Sequence, residues 1–316
     1  MTNNRENTDI QRSRFYELIQ VCITVPKDRF YEVMRTERDS YRYHNRFCSL
    51  EWSGIELAIL LRKRLEELSQ MSTDKKKSPV ERLAAVLKAK FPYIPNDISF
   101  DFNGKTYTMP LFLYVLRHTF WRPRDVLLYY AKIIATSEDL RRKRIRVSAE
   151  AIRRAIKEAT YEVIQSEFIN EFSSTVINIR EILSAFSNIS QFVTYSEIGE
   201  ILTKVDFRFA IGPEISLNRV DEKIEYLYQI GFLGIEVTPE MRDRFNIEHK
   251  HSFYFNEGLA LLKTEGENKF RDYTFIIHPI FSEYLQLNTS DHELVLEFSW
   301  DYLREMDVLL SVSGNP

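Results

Sequence analysis

Nine glycines in 316 residues leave the chain little material for tight turns, and this scarcity argues for a mainly helical protein. Cysteine is scarcer still. Cys22 and Cys48 lie in apolar surroundings without C-x-x-C spacing, which argues against a disulfide or metal site and for buried, reduced thiols. No apolar run approaches the roughly 20 residues of a membrane span, so no membrane contact is expected. The polar start MTNNRENTDIQRSR has no signal-peptide pattern, and the expected location is the cytoplasm. Of six histidines only His249 and His251 lie close together. Their stretch EHKHSF alternates as a strand with no cysteine nearby, and it reads as a solvated hairpin rather than a metal site.

A complete phosphate-cradling loop is also missing. Gly104-Lys105-Thr106 spells the end of G-x-x-x-x-G-K-[ST], but Ser99 stands where the first glycine is required. Ile98, Phe100, Phe102, Tyr107 and Met109 instead alternate around Asn103-Gly104, the usual type I′ turn, which predicts a β-hairpin near 98–109. No apolar strand ends in paired acids that would hold Mg²⁺ and activate water. No Ser/His/Asp, Cys/His or clustered-carboxylate pattern can be assembled with useful spacing. The chain is therefore not expected to be an enzyme on its own, and no intrinsic cofactor or metal is expected.

What is present is ordinary for a globular protein: 44% hydrophobic and 28% charged residues, with length for two or three domains. The net charge of −3 hides an asymmetry, since residues 1–160 carry +11 and the remainder −14. A basic half suits a nucleic acid, a nucleotide or an acidic partner, or it docks on its own acidic C-terminal half.

Along the chain, FYELIQVCITV (15–25) reads as a buried strand ended by Pro26, and FCSLEW as a second. Ser53 and Glu56 then form a capping box that opens a long amphipathic helix. HTFWRPRDVLLYYAKII follows the hairpin and sets Pro123 at the first position of an apolar helix, between Arg122 and Arg124. A helix start is a poor place for cations, because the macrodipole there is already positive. Either Asp125 compensates, by pairing with Arg122 or accepting first-turn N–H groups, or the arginines and the helix end together face a phosphate. The run Arg141, Arg142, Lys143, Arg144 and Arg146 is expected in a basic loop before the next long helix. It is either a solvated surface or a track for a phosphate backbone, though without aromatic interleaving.

Beyond residue 170 the rhythm changes. EFSSTVINIREILSAF, YSEIGEILTKV and NRVDEKIEYLYQI read as three helices, the last stopped by Gly231, with FLGIEV and HSFYFNEG as a hairpin. This is the order of a winged helix. YTFIIHPIFSEYLQL reads as a further strand and helix, and HELVLEFSWDYLREMDVLL as an acidic amphipathic terminal helix. The third helix carries Asp221, Glu222 and Glu225 against Arg219 and Lys223, so a phosphate backbone would repel it and protein contact is the better expectation.

LEWSGIELAILLRKR, Arg122 to Asp125 (RPRD), Ile230 to Gly234 (IGFLG) and Ile277 to Phe281 (IHPIF) stand in this order over roughly residues 15–287. Together they resemble the C-terminal half of bacterial AAA+/STAND-like P-loop ATPases, of the kind related to origin-recognition ATPases and linked to phage defence. The resemblance implies a remnant of the ATPase core at 1–50, a helical lid at 51–170 containing the hairpin, a winged helix at 171–290, and a helix and tail at 291–316. It also implies a sensor-2-like role for Arg124, with Arg122 as second candidate, touching a γ-phosphate and reporting nucleotide state to the winged helix.

The expected fold is thus mainly α with α+β parts. The expected function is a non-catalytic regulatory or assembly module, with ATP bound only through a partner or a missing segment and with a P-loop subunit or a second copy as protein partner. The alternative is a winged-helix DNA-binding regulator using Arg141, Arg142, Lys143, Arg144, Arg146, Arg219 and Lys223.

Overall fold

The computed structural model describes residues 52–67, 79–102, 105–210, 217–236, 238–240, 251–253 and 270–288. The chain divides into two compact units, Met1–Leu50 and Glu51–Pro316. The first unit lies outside the described residues, as do both cysteines, the strand expected at 15–25, His249 and the expected terminal helix. The described part of the second unit is mainly helical with two small sheets.

Helix α1 (Gly54–Glu67) starts at the expected capping box. The Ser53 N–H donates to Glu56 Oε2 at 2.8 Å, and the Glu56 N–H donates to Ser53 Oγ at 3.2 Å. Leu57, Leu61 and Leu65 are buried, and the helix packs on α2 (Pro79–Lys90). Strands β1 (Asp97–Phe102) and β2 (Lys105–Pro110) pair antiparallel, with Ile98 opposite Met109 and Phe102 opposite Lys105. Two residues separate them, as the Asn-Gly signal demanded.

A short α3 (Leu111–Leu116) leads to α4 (Pro123–Arg142), which lies on α5 (Ala149–Glu162). Val126, Tyr129, Tyr130 and Ile133 are buried along α4. Between the two helices the Tyr129 hydroxyl donates to Thr160 Oγ1 at 2.8 Å, because the Thr160 proton is already given to the Ile156 carbonyl. Of the run expected in a basic loop, Lys143, Arg144 and Arg146 lie beyond α4, which continues through Asp139, Arg141 and Arg142. It ends in a Schellman motif: the Arg144 N–H donates to the Arg141 carbonyl and the Ile145 N–H to the Leu140 carbonyl, both at 2.9 Å. Arg144 occupies the left-handed position of that motif, at φ 58°, where glycine is favoured.

Helix α5 runs on through a π-helical stretch, Val163–Ile169, into α6 (Asn170–Ser173). The single helix expected across EFSSTVINIREILSAF is broken after Ser173, and α7 (Ile179–Ser184) starts afresh. The Ser-Ser-Thr-Val-Ile-Asn run has low helix propensity. Its backbone bridges elsewhere, Val176 pairing with Phe209, while Asn178 accepts from the Arg208 N–H at 3.0 Å and donates to the Asp206 carbonyl at 2.7 Å.

Strand β3 (Phe192–Thr194), which the sequence reading missed, precedes α8 (Tyr195–Leu202) and its Thr194/Glu197 capping box. Helix α9 (Val220–Gln229) ends at Gly231, φ 77°, as expected. Strands β4 (Leu233–Glu236), β5 (His251–Phe253) and β6 (Thr274–Ile277) complete a four-stranded sheet of order β3-β6-β4-β5, antiparallel throughout. After β6 the chain makes a 3₁₀ turn, Pro279–Phe281, rather than the expected helix. The neutral imidazole of buried His278 caps it, Nδ1 accepting from the Ile280 N–H at 3.1 Å.

Arg144 suggests a direct test of backbone strain. Replacing it by glycine removes the left-handed penalty and is expected to raise unfolding free energy by about 1 kcal/mol. Gly231→Ala, at the matching site after α9, is expected to lose about as much. Urea unfolding midpoints of the two variants check both signs.

Candidate functional site

The turn between α3 and α4 sets the geometry of the RPRD arginines. Thr119 is buried and donates its hydroxyl to the Leu116 carbonyl at 2.9 Å. Trp121 is also buried and sits at φ 55°, an unusual conformation for a bulky side chain and a sign of local strain. Arg122 is the N-cap and Pro123 opens the helix, as the sequence indicated. Asp125 points back across this turn, and its Oδ2 accepts from the Phe120 N–H at 3.0 Å. It therefore fixes the approach to the helix rather than its first-turn donors. Asp125 is 1% exposed and its Oδ1 has no hydrogen-bond partner. Burial raises its pKa, against the opposing pull of Arg122 and the Phe120 N–H.

Both arginines reach the π stretch and the turn after it. Arg122 Nη1 lies 2.5 Å from Glu171 Oε2, and Nη2 lies 3.4 Å from Oε1, a forked contact made while the guanidinium sits 5.5 Å from the Phe120 ring centroid. Arg124 pairs with Glu167. The two pairs differ in exposure: Arg122 and Glu171 are each about one-third exposed, whereas Arg124 is 60% exposed. The cationic load at this helix start is thus met by Glu167 and Glu171, four residues apart on one face, which no local pattern around RPRD indicated.

The basic run stands apart from this site. Arg141, Arg142, Lys143, Arg144 and Arg146 are exposed at the end of α4 and just beyond it. Lys143 pairs with Asp139 at 2.7 Å, and Arg141 lies 5.1 Å from the Tyr93 ring centroid, whose hydroxyl donates to Glu138.

On α9 the expected basic contacts need correction. Lys223 is 6% exposed, and its ammonium donates to the Leu202 and Val205 carbonyls, both at 2.7 Å. It closes the C-terminal end of α8, where carbonyls without helical partners need donors, and it cannot reach a phosphate. Arg219 is exposed at the start of α9, 3.9 Å from Asp221, which also accepts from the Tyr195 hydroxyl at 2.8 Å.

A cleft of ≈ 680 Å³, between α3, α5 and the turns after β6, contains none of these candidates. Among the described residues no group of three or more His, Cys, Asp or Glu could hold a metal ion, and no helix is long and apolar enough to cross a membrane.

The raised pKa of Asp125 fixes a sign. A buried carboxyl whose folded pKa is raised stabilises the fold below the ordinary aspartate range, and that contribution is lost as pH climbs through the raised value. Asp125→Asn keeps an acceptor for the Phe120 N–H and removes this titration. The midpoint difference between variant and parent is expected to move in the variant's favour as pH rises above about 4, read by urea unfolding.

Comparison with protein-family models, with curated proteins and with solved structures finds no match to this chain.

Proposed function

We propose that the chain is a non-catalytic regulatory or assembly module, in which the RPRD arginines couple the helical part to a winged-helix interaction part. The contacts of Arg122 and Arg124 with Glu171 and Glu167 carry this reading, because those glutamates lie on the helical segment that leads into the C-terminal part. The order α7, β3, α8, α9, β4, β6, with β3 and β4 flanking β6, supports a winged helix extended by the edge strand β5. Arg122, forked onto Glu171 and lying against Phe120, is the fixed tie. Arg124 is the exchangeable one: a γ-phosphate presented by a P-loop partner competes with Glu167 for its guanidinium and frees the π stretch.

The DNA-regulator reading keeps one supporting observation, the exposed basic run at the end of α4. It loses Lys223, and α9 presents Asp221 and Glu222 beside Arg219.

Native mass spectrometry of the protein purified from its own cells is expected to show a bound P-loop subunit. In the reconstituted complex, Arg124→Ala is expected to abolish nucleotide-dependent assembly while leaving circular dichroism unchanged. Assembly that proceeds unaltered in this variant would sink the proposal. A lone protein that binds duplex DNA far more tightly than the roughly 10⁻⁴–10⁻⁶ M of non-specific association would replace it with the DNA regulator.

A further inference from the structure

Two helices end in positive charge, and the fold joins the two ends. Helix α2 carries Lys88 and Lys90 in its last turn, and the end of α4 with the residues after it carries Arg141, Arg142, Lys143, Arg144 and Arg146. Tyr93, just past α2, links them: its ring centroid lies 5.1 Å from the Arg141 guanidinium, and its hydroxyl donates to Glu138 on α4. A helix C-terminus suits cations, because the macrodipole there is negative.

Nearby acids offset only part of this charge. Glu138 accepts from Tyr93, and Asp139 pairs with Lys143 at 2.7 Å. Glu150, in the first turn of α5, is the one further carboxylate in the stretch 138–150. Lys88, Arg142, Arg144 and Arg146 are exposed, and among the described residues none of these four charges has an ion pair, a hydrogen bond or a ring contact. The backbone under them is fixed. The Schellman turn holds Arg144 at φ 58° and leaves Ile145 beside it 53% exposed. An arginine held where glycine would be more stable points to a role for its charge.

We propose that the joined ends of α2 and α4 bind the phosphodiester backbone of a double-stranded nucleic acid, without reading its sequence. Arg142, Arg144 and Arg146 are the main contacts, and Lys88 extends them. A duplex carries one negative charge per about 1.7 Å of its axis, a density that suits five cations in six residues better than a protein surface of interspersed charges does. Guanidinium groups donate forked, charge-assisted hydrogen bonds to phosphate oxygens. The contact lies on α2 and α4 rather than on the acidic α9, so it asks nothing of the winged helix. Binding of non-specific strength leaves the assembly reading in place, and the two stand or fall separately.

Fluorescence anisotropy of the full chain with short labelled duplex DNA and duplex RNA, over a salt series, tests the assignment. A Kd of about 10⁻⁴–10⁻⁶ M is expected at physiological salt, alike for unrelated sequences, with a slope of log K on log salt of about −2.7 for three neutralised phosphates of B-DNA. The tighter of the two duplexes identifies the source of the backbone. Arg142→Gln, Arg146→Gln and Arg144→Gly are each expected to make the slope shallower by about 0.9. Arg144→Gly is the decisive variant, because the same change is expected to raise the unfolding midpoint, and weaker binding there is not loss of fold. Arg219→Ala, at the start of α9, should leave the slope unchanged. Poly-L-glutamate, the probe for an acidic protein surface, should compete far less well than unlabelled duplex. The proposal is overturned by no binding of either duplex at low salt, by a slope unaltered in the triple arginine variant, by a slope that Arg219→Ala makes shallower, by marked sequence preference, or by poly-L-glutamate competing as well as the duplex.

Discussion

A continuous row of buried rings ties the start of α4 and the π stretch to the C-terminal sheet. Phe120 stacks on Phe168 at 5.2 Å, Phe168 meets Phe281 edge-on at 5.0 Å, Phe281 meets Phe232 at 4.9 Å, and Phe232 meets Phe186 at 5.0 Å. These residues come from the turn before α4, the π stretch, the turn after β6, the approach to β4 and the end of α7. Each is no more than 4% exposed. Burying one such side chain is worth about 1.5–3 kcal/mol, and the edge-on geometry adds to it. His278 completes the cluster, 4.9 Å from Phe120, and burial keeps its pKa well below the ordinary histidine range. A charge there would have no water to stabilise it, so its cap on the following turn persists down to acid pH.

The arginine contacts gain meaning from that row. Because Phe120 and Phe168 are stacked, the start of α4 and the π stretch cannot drift apart, and Arg122 and Arg124 meet carboxylates whose positions are set by packing. Partly exposed ion pairs contribute little stability by themselves, typically about 0.2–1 kcal/mol. Under the proposed coupling, their value lies in being exchangeable on a rigid frame. A phosphate that takes over Arg124 changes one surface contact, and the packed segment that carried the partner glutamate is the segment entering the C-terminal part.

The features legible in the sequence were those decided within a few residues. The Ser53/Glu56 box, the Asn-Gly hairpin, Pro123 at a helix start and Gly231 at a helix end each rest on local backbone chemistry, and each stands where expected. The misreadings arose where distant partners decide. Phe192–Thr194 is too short to show periodicity and is a strand only because β6 pairs with it. Residues 174–178 leave the helix because residues 206–210 offer their backbone better partners. Lys223 looked like a surface cation because nothing nearby reveals that the carbonyls ending α8 surround it. Glu167 and Glu171 lie more than forty residues from the arginines they meet, and the cleft joins residues spread from Tyr114 to Leu287.

The coupling is tested most directly by double-mutant cycles on the two arginine pairs, with unfolding free energies measured for Arg122→Ala, Glu171→Ala and their combination, and likewise for Arg124 and Glu167. A fixed tie at Arg122 and an exchangeable one at Arg124 predict a coupling of about 0.5–1 kcal/mol for the first pair and a smaller one for the second. Strictly additive losses at Arg122 and Glu171, or a larger coupling at the more exposed pair, would contradict it.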